Sequence, residues 1–190
     1  MEKKKAEREQ RDTSQLVRAL AQLAAGLAYM HEQRVLHQDV KPENVLFDRA
    51  GHVLLADFGL SKVLPADAPA DAFRVSGCAS LCGTPEYMAP EVLLGTGHGV
   101  AVDWWSFGCL LFEMLSGAAP FEGEGGLEAT VAAILRHTPT LPDHVLANCG
   151  GDPREGGSKI GATFEQVSGG WKLGCRRLLG QKIAGSQARG

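Results

Sequence analysis

The chain has 190 residues, 44% of them apolar, and a formal net charge of -3, values that suit a single core and argue against electrostatic steering to nucleic acid or an anionic membrane. Met1 to Arg11 mixes Lys, Arg and Glu with no apolar stretch, which reads as neither a secretory signal nor a membrane-spanning segment. The five cysteines, Cys78, Cys82, Cys109, Cys149 and Cys175, are odd in number and lack paired C-x-x-C spacing, so free thiols in a reducing compartment (cytoplasm, or nucleus) are expected and a zinc site is not.

Residues 1–12 form a charged N-terminal segment whose lysines Lys3, Lys4 and Lys5 read as a solvated helix start rather than a nuclear signal. Thr13 or Ser14 is the expected N-cap of an amphipathic helix reaching about His31, because Leu16, Leu20, Leu23, Leu27 and Met30 recur every three or four residues. Residues 34–60 predict a loop and two short strands, Asn44 to Phe47 and His52 to Ala56, around the turn Asp48-Arg49-Ala50-Gly51. Residues 61–91 lack periodicity and hold Pro65, Pro69, Gly77 and Pro85, as expected of a long mobile loop. From Val102 to Ser116 the chain is apolar nearly all round, which predicts a helix buried on several faces, with Asp103 placed to cap its first turn. Gly117, Pro120 and Phe121 end that helix, and Leu127 to Arg136 predicts one more short helix. Residues 148–190 are glycine-rich, with scattered Trp171, Leu173 and Leu178 and no recognisable pattern.

Chemistry concentrates in His37-Gln38-Asp39-Val40-Lys41-Pro42-Glu43-Asn44 and in Asp57-Phe58-Gly59. A loop followed by a hairpin brings Asp39, Asn44 and Asp57 together. Two of these, Asn44 and Asp57, are hard oxygen ligands suited to magnesium, and Asp39 is suited to accept a proton from an attacking hydroxyl. A transferred phosphoryl group makes little covalent demand on a protein, so orientation and charge neutralisation suffice; Lys41 supplies the charge. Gly59 lets the backbone turn beside the metal position.

This set, in the order H-Q-D-V-K-P-E-N, D-F-G, A-P-E, resembles the protein kinase family over residues 13–147. Cys82-Gly83-Thr84-Pro85-Glu86-Tyr87 and Asp103-Trp104-Trp105-Ser106-Phe107-Gly108 further resemble its AGC group, the relatives of the cyclic-nucleotide-dependent and ribosomal-S6 enzymes. The resemblance implies a mainly α member of an α+β fold family: the large lobe, with a short β-hairpin at the catalytic loop and the N-terminal lobe absent. It implies Asp39 and Lys41 as catalytic residues, Asn44 and Asp57 as ligands of Mg2+ and the ATP phosphates, and Leu46 as the floor under the adenine. His37, Phe58, Gly59, Glu91 and Asp103 take structural roles, Asp103 by holding the catalytic-loop backbone and Glu91 by pairing with an arginine. No G-x-G-x-x-G or V-A-x-K occurs within these residues, so the Gly-rich loop, the phosphate lysine and its glutamate partner are missing and the chain is expected to be inactive alone.

The resemblance also bears on regulation and substrate. Ser80 stands where the group carries its activating phosphate, set there by an upstream kinase, and Lys62 where a secondary partner of that phosphate lies. Gln38 replaces the family's usual arginine, the chief partner, which implies a weakened response. Thr84 is expected to hydrogen-bond Asp39 and Lys41, as in serine/threonine kinases. Glu43 and Glu113 match acids that select arginine upstream of the phosphorylated residue, unless Glu113 merely marks the exposed face of its helix. Arg154, Arg176 and Arg177 are the arginines left to face Glu91, none in a recognisable context. The expected function is ATP-dependent serine/threonine phosphorylation of a protein substrate, with no nucleic acid or membrane insertion; the alternative is a non-catalytic, pseudokinase-like binding or regulatory module.

Overall fold

The computed structural model describes residues 2–65, 84–122 and 125–140. Helix α1 runs over Glu2–Glu32. It starts well before Thr13 and Ser14, which therefore lie inside it and do not cap it: residues 2–12 are nearly all strong helix formers (Glu, Lys, Ala, Arg, Gln) with no Gly or Pro, and their mixed charges favour continuation over a break. The predicted apolar stripe is buried at Leu20, Leu23 and Leu27, with Leu16 packed at its edge.

Two small antiparallel sheets follow. Strand β1 (Val35–Leu36) pairs with β4 (Lys62–Val63), and β2 (Val45–Phe47) pairs with β3 (Val53–Leu55) in the register Val45 to Leu55, Leu46 to Leu54 and Phe47 to Val53. The hairpin turn closes as its residues demand. Asp48 Oδ1 accepts the Ala50 and His52 N–H groups at 2.8 Å each, and Gly51 takes φ +80°. Hydrogen bonds to the His52 backbone and ring hold the Asp48 carboxyl below its ordinary value. Because opposed strand residues share a face, Val45, Val53 and Leu55 pack on the core while Leu46 and Leu54 stand about half exposed on the other side. Gln22 of α1 accepts the Val53 N–H at 2.8 Å and pins the hairpin to the helix.

The β1–β4 pairing and the short helix α2 (Pro90–Leu93) fall within stretches that periodicity assigned to loop. Two- and four-residue elements are too short to show a period, and tertiary contact alone stabilises them. Helix α3 spans Ala101–Ser116 with ten buried residues, the all-round burial that its composition demanded. It ends at Gly117, whose φ of +84° is left-handed and whose N–H reaches the Glu113 carbonyl at 2.7 Å. Beyond it Phe121 stacks on Trp105 with ring centroids 5.7 Å apart, and α4 (Gly126–Arg136) buries Thr130 and Ile134 against the 3-10 turn Pro85–Tyr87 and α2. No helix among the described residues is long and apolar enough to cross a membrane. Cys109 is a buried free thiol whose pKa burial pushes up; the other four cysteines, the glycine-rich stretch 148–190 and most of 61–91 lie outside the described residues.

Candidate active site

The loop between β1 and β2 is tied down from beneath by one residue. Asp103, fully buried in the first turn of α3, accepts the His37 N–H on Oδ2 at 2.9 Å and the Gln38 N–H on Oδ1 at 2.7 Å, while His31 Nε2 at the end of α1 lies 2.8 Å from Oδ2. It caps no helix donor, so of its two expected roles the loop-holding one is realised. Those bonds carry a conformational cost: Gln38 sits at φ +68°, a left-handed region that side chains with a Cβ avoid by roughly 1–2 kcal/mol. His37 is buried as well, its Nε2 3.1 Å from the Ala56 carbonyl and its ring edge-on to Phe58 at 5.1 Å.

The next residues form a mutually bonded group. Asp39 Oδ2 receives Lys41 Nζ at 2.8 Å and Asn44 Nδ2 at 3.0 Å, and the same Nδ2 donates to the Asp39 carbonyl at 2.7 Å. Pro42, with its fixed φ, opens the 3-10 turn Pro42–Asn44 that folds the buried Asn44 back over Asp39. With both N–H groups spent on Asp39, Asn44 is left with Oδ1 as a carbonyl acceptor. The Ala56 N–H meets the Asn44 carbonyl at 2.8 Å, and this bond across the hairpin sets Asp57 beside the loop. Asp57 is exposed at φ +61° and accepts the Gly59 N–H on Oδ1 at 3.1 Å. A Cβ at Gly59 would sit 3.0 Å from that oxygen, so the glycine permits the turn.

Beside Asp39 lies a cavity of about 220 Å³ whose lining also includes Gln38, Gly59, Lys62, Thr84 and His98. Thr84 thus reaches the cavity, but its hydroxyl does not bond Asp39 or Lys41; its backbone is extended as it enters the turn Pro85–Tyr87. Lys62 lines the same space, and Ser80 lies outside the described residues. Glu43 is exposed on its turn, whereas Glu113 is half-buried and accepts the Tyr87 hydroxyl, so Glu113 is not a plain solvated face. Burial first, then Glu113 and Glu43, push the Tyr87 phenol upward. Burial likewise raises Glu91, which has no cationic partner among the described residues; Arg154, Arg176 and Arg177 lie outside them. Leu46 is 49% exposed beside Leu54 at 51%, an apolar face above the loop.

Sequence reasoning missed four contacts: His31 to Asp103, Gln38 to His98, Tyr87 to Glu113, and Ser106 Oγ donating to the Tyr87 carbonyl at 2.8 Å. Their partners stand 19 to 72 residues apart in the chain, a separation at which no local pattern signals a contact.

An aspartate clasped by a lysine and an asparagine, with a second aspartate across a hairpin, is the disposition expected of a phosphoryl-transfer site. The protein kinase domain family matches residues 2–147, and the chain belongs to that family. Within it the chain is an AGC-like serine/threonine kinase sequence. It is 47% identical over 125 residues to Protein kinase 2 of Dictyostelium discoideum, covering 66% of this chain and 24% of that protein. Ribosomal protein S6 kinase beta of Caenorhabditis elegans is 44% identical over 127 residues, covering 66% and 22%, and Ribosomal protein S6 kinase alpha-1 of Homo sapiens is 46% identical over 123 residues, covering 65% and 16%. The chain therefore spans about a quarter or less of the length of these relatives.

Proposed function

We propose that these residues form the large lobe of an ATP-dependent serine/threonine protein kinase. The observation that carries this reading is the clasped Asp39: a carboxylate oriented by Lys41 and Asn44 is set to accept the proton of a substrate hydroxyl. Lys41 lies close enough to neutralise charge on the group in transit. The free Asn44 Oδ1 and the Asp57 carboxylate are a donor set that fits magnesium, which keeps several waters and takes only one or two protein oxygens besides phosphate oxygens. Bound Mg2+-ATP supplies the phosphoryl group and its charge neutralisation; the protein orients the acceptor and excludes water. Leu46 and Leu54 offer the base an apolar floor. Glu43 and Glu113 favour a basic residue upstream of the target serine or threonine, and an upstream kinase acts on Ser80. The setting is the cytoplasm or the nucleus.

Without a Gly-rich loop or phosphate lysine, the isolated 190-residue chain transfers little or no phosphate. Radiolabelled transfer by that chain, abolished by Asp57→Ala, overturns this part of the proposal. The reading as a whole is tested by joining the chain behind the small lobe of a ribosomal S6 kinase relative. The fusion should phosphorylate a serine peptide with upstream arginine, and Asp39→Asn should lower kcat by roughly 100-fold or more. A folded fusion that binds ATP but transfers nothing refutes it. In the same fusion Ser80→Ala should cost less activity than the matching change in the relative, because Gln38 offers a phosphate no charge. A second reading, a non-catalytic binding module, is favoured by the exposed apolar face at Leu46, Leu54 and Phe58; partner binding that survives Asp39→Ala distinguishes it.

A further inference from the structure

Residue 38 is fastened twice. Its backbone N–H goes to Asp103, and its side-chain amide meets Nε2 of His98. His98 is 7% exposed and stands on the loop joining α2 to α3, where Gly97 at φ +84° turns the chain inward just before it. It lines the cavity that also holds Asp39 and Thr84. Gln38 precedes Asp39 directly, and a residue in a left-handed conformation returns to extended backbone unless its surroundings over-determine it. The Asp103 bond fixes the peptide of residue 38 but leaves its side chain free to swing, so a second anchor is needed to hold the turn.

We infer that His98 is a positioning residue, acting through Gln38 to hold the turn that presents Asp39. The inference rests on the reading of Asp39 as the proton acceptor. The contact is made between uncharged groups. Burial, and then the positive charge of Lys62, hold the His98 pKa below its ordinary value, with Asp103 pulling the other way, so the ring remains uncharged at neutral pH. A cation at position 38 would instead bring a second positive charge to the cavity that Lys62 lines. Glutamine is therefore matched to His98, and the turn before Asp39 is ordered by a contact internal to the described residues, with no phosphate required.

The test is amide hydrogen exchange by NMR on the 190-residue chain without nucleotide. His98→Phe keeps the ring and removes the acceptor; it should speed exchange at the Gln38 and Asp39 amides at least tenfold while Leu110 and Leu111 in α3 stay within twofold. His98→Gln, which returns an acceptor at similar reach, should restore protection. Unchanged exchange at Gln38, or an equal rise at Leu110 and Leu111, overturns the inference. If His98→Phe does not fold, the nitrogen spectrum of the unsubstituted chain decides. A hydrogen bond between the ring Nε2 and the Gln38 amide, read from its shift and coupling, supports the contact, and an Nε2 that makes none refutes it. Because no transfer is measured, an inactive fusion leaves this result standing, and unchanged exchange leaves the phosphoryl-transfer reading standing.

Discussion

Replacing Asp103 tests the central claim that one buried carboxylate holds the loop between β1 and β2. Its oxygens take the N–H groups of His37 and Gln38 and the ring of His31, and the side chain is fully buried, so no water replaces it. Asp103→Ala leaves three donors without an acceptor. A buried donor left unsatisfied costs about 1–3 kcal/mol, and taking about 1–2 for each, because His31 sits near the surface, gives about 3–6 kcal/mol. Set against a domain stability of about 5–15 kcal/mol, that is a large share. At about 2–4 °C per kcal/mol for a chain of this size, Tm should fall by about 6–24 °C. Asp103→Asn keeps one acceptor but turns an amide N–H toward a backbone donor, so its loss should be intermediate. The assay is urea unfolding followed by circular dichroism, with thermal melts alongside. A loss below about 1 kcal/mol for Asp103→Ala, or an Asp103→Asn chain as stable as the original, would show that the loop is held elsewhere.

Two further changes follow from the charge environment. Burial raises the Glu91 pKa, so the folded chain keeps a proton that the unfolded chain releases first; stability is then highest below the ordinary glutamate value and falls as pH rises through the raised one. Glu91→Gln should remove that fall, raising Tm at neutral pH and leaving it unchanged in acid, and equal Tm values for the two chains across the range would refute it. Tyr87→Phe deletes the hydroxyl donated to Glu113 and should cost about 1–2 kcal/mol in urea unfolding, with the ring's packing retained.

The loop and hairpin chemistry was legible because its parts are close in sequence. Five residues separate Asp39 from Asn44, Pro42 fixes the turn between them, and the strand alternation about Asp48 to Gly51 places Asp57, so local geometry brings these residues together. The start of α1 was misjudged for the opposite reason. A serine or threonine before an apolar stripe signals a cap, but the charged residues ahead of it propagate the helix just as well.

Thus the sequence by itself determined the class of chemistry, the buried α3 and the end of that helix at Gly117, each of which depends on residues within a few turns of one another. Tertiary structure alone decided that Asp103 serves the loop rather than its own helix, that Thr84 stands near Asp39 without bonding it, and that Gln38 finds His98. Those outcomes turn on hydrogen bonds between segments about 60 or more residues apart in the chain, or on the lack of one. A buried donor takes whichever acceptor the packing brings to it, and packing is a property of the whole core rather than of any local run of residues.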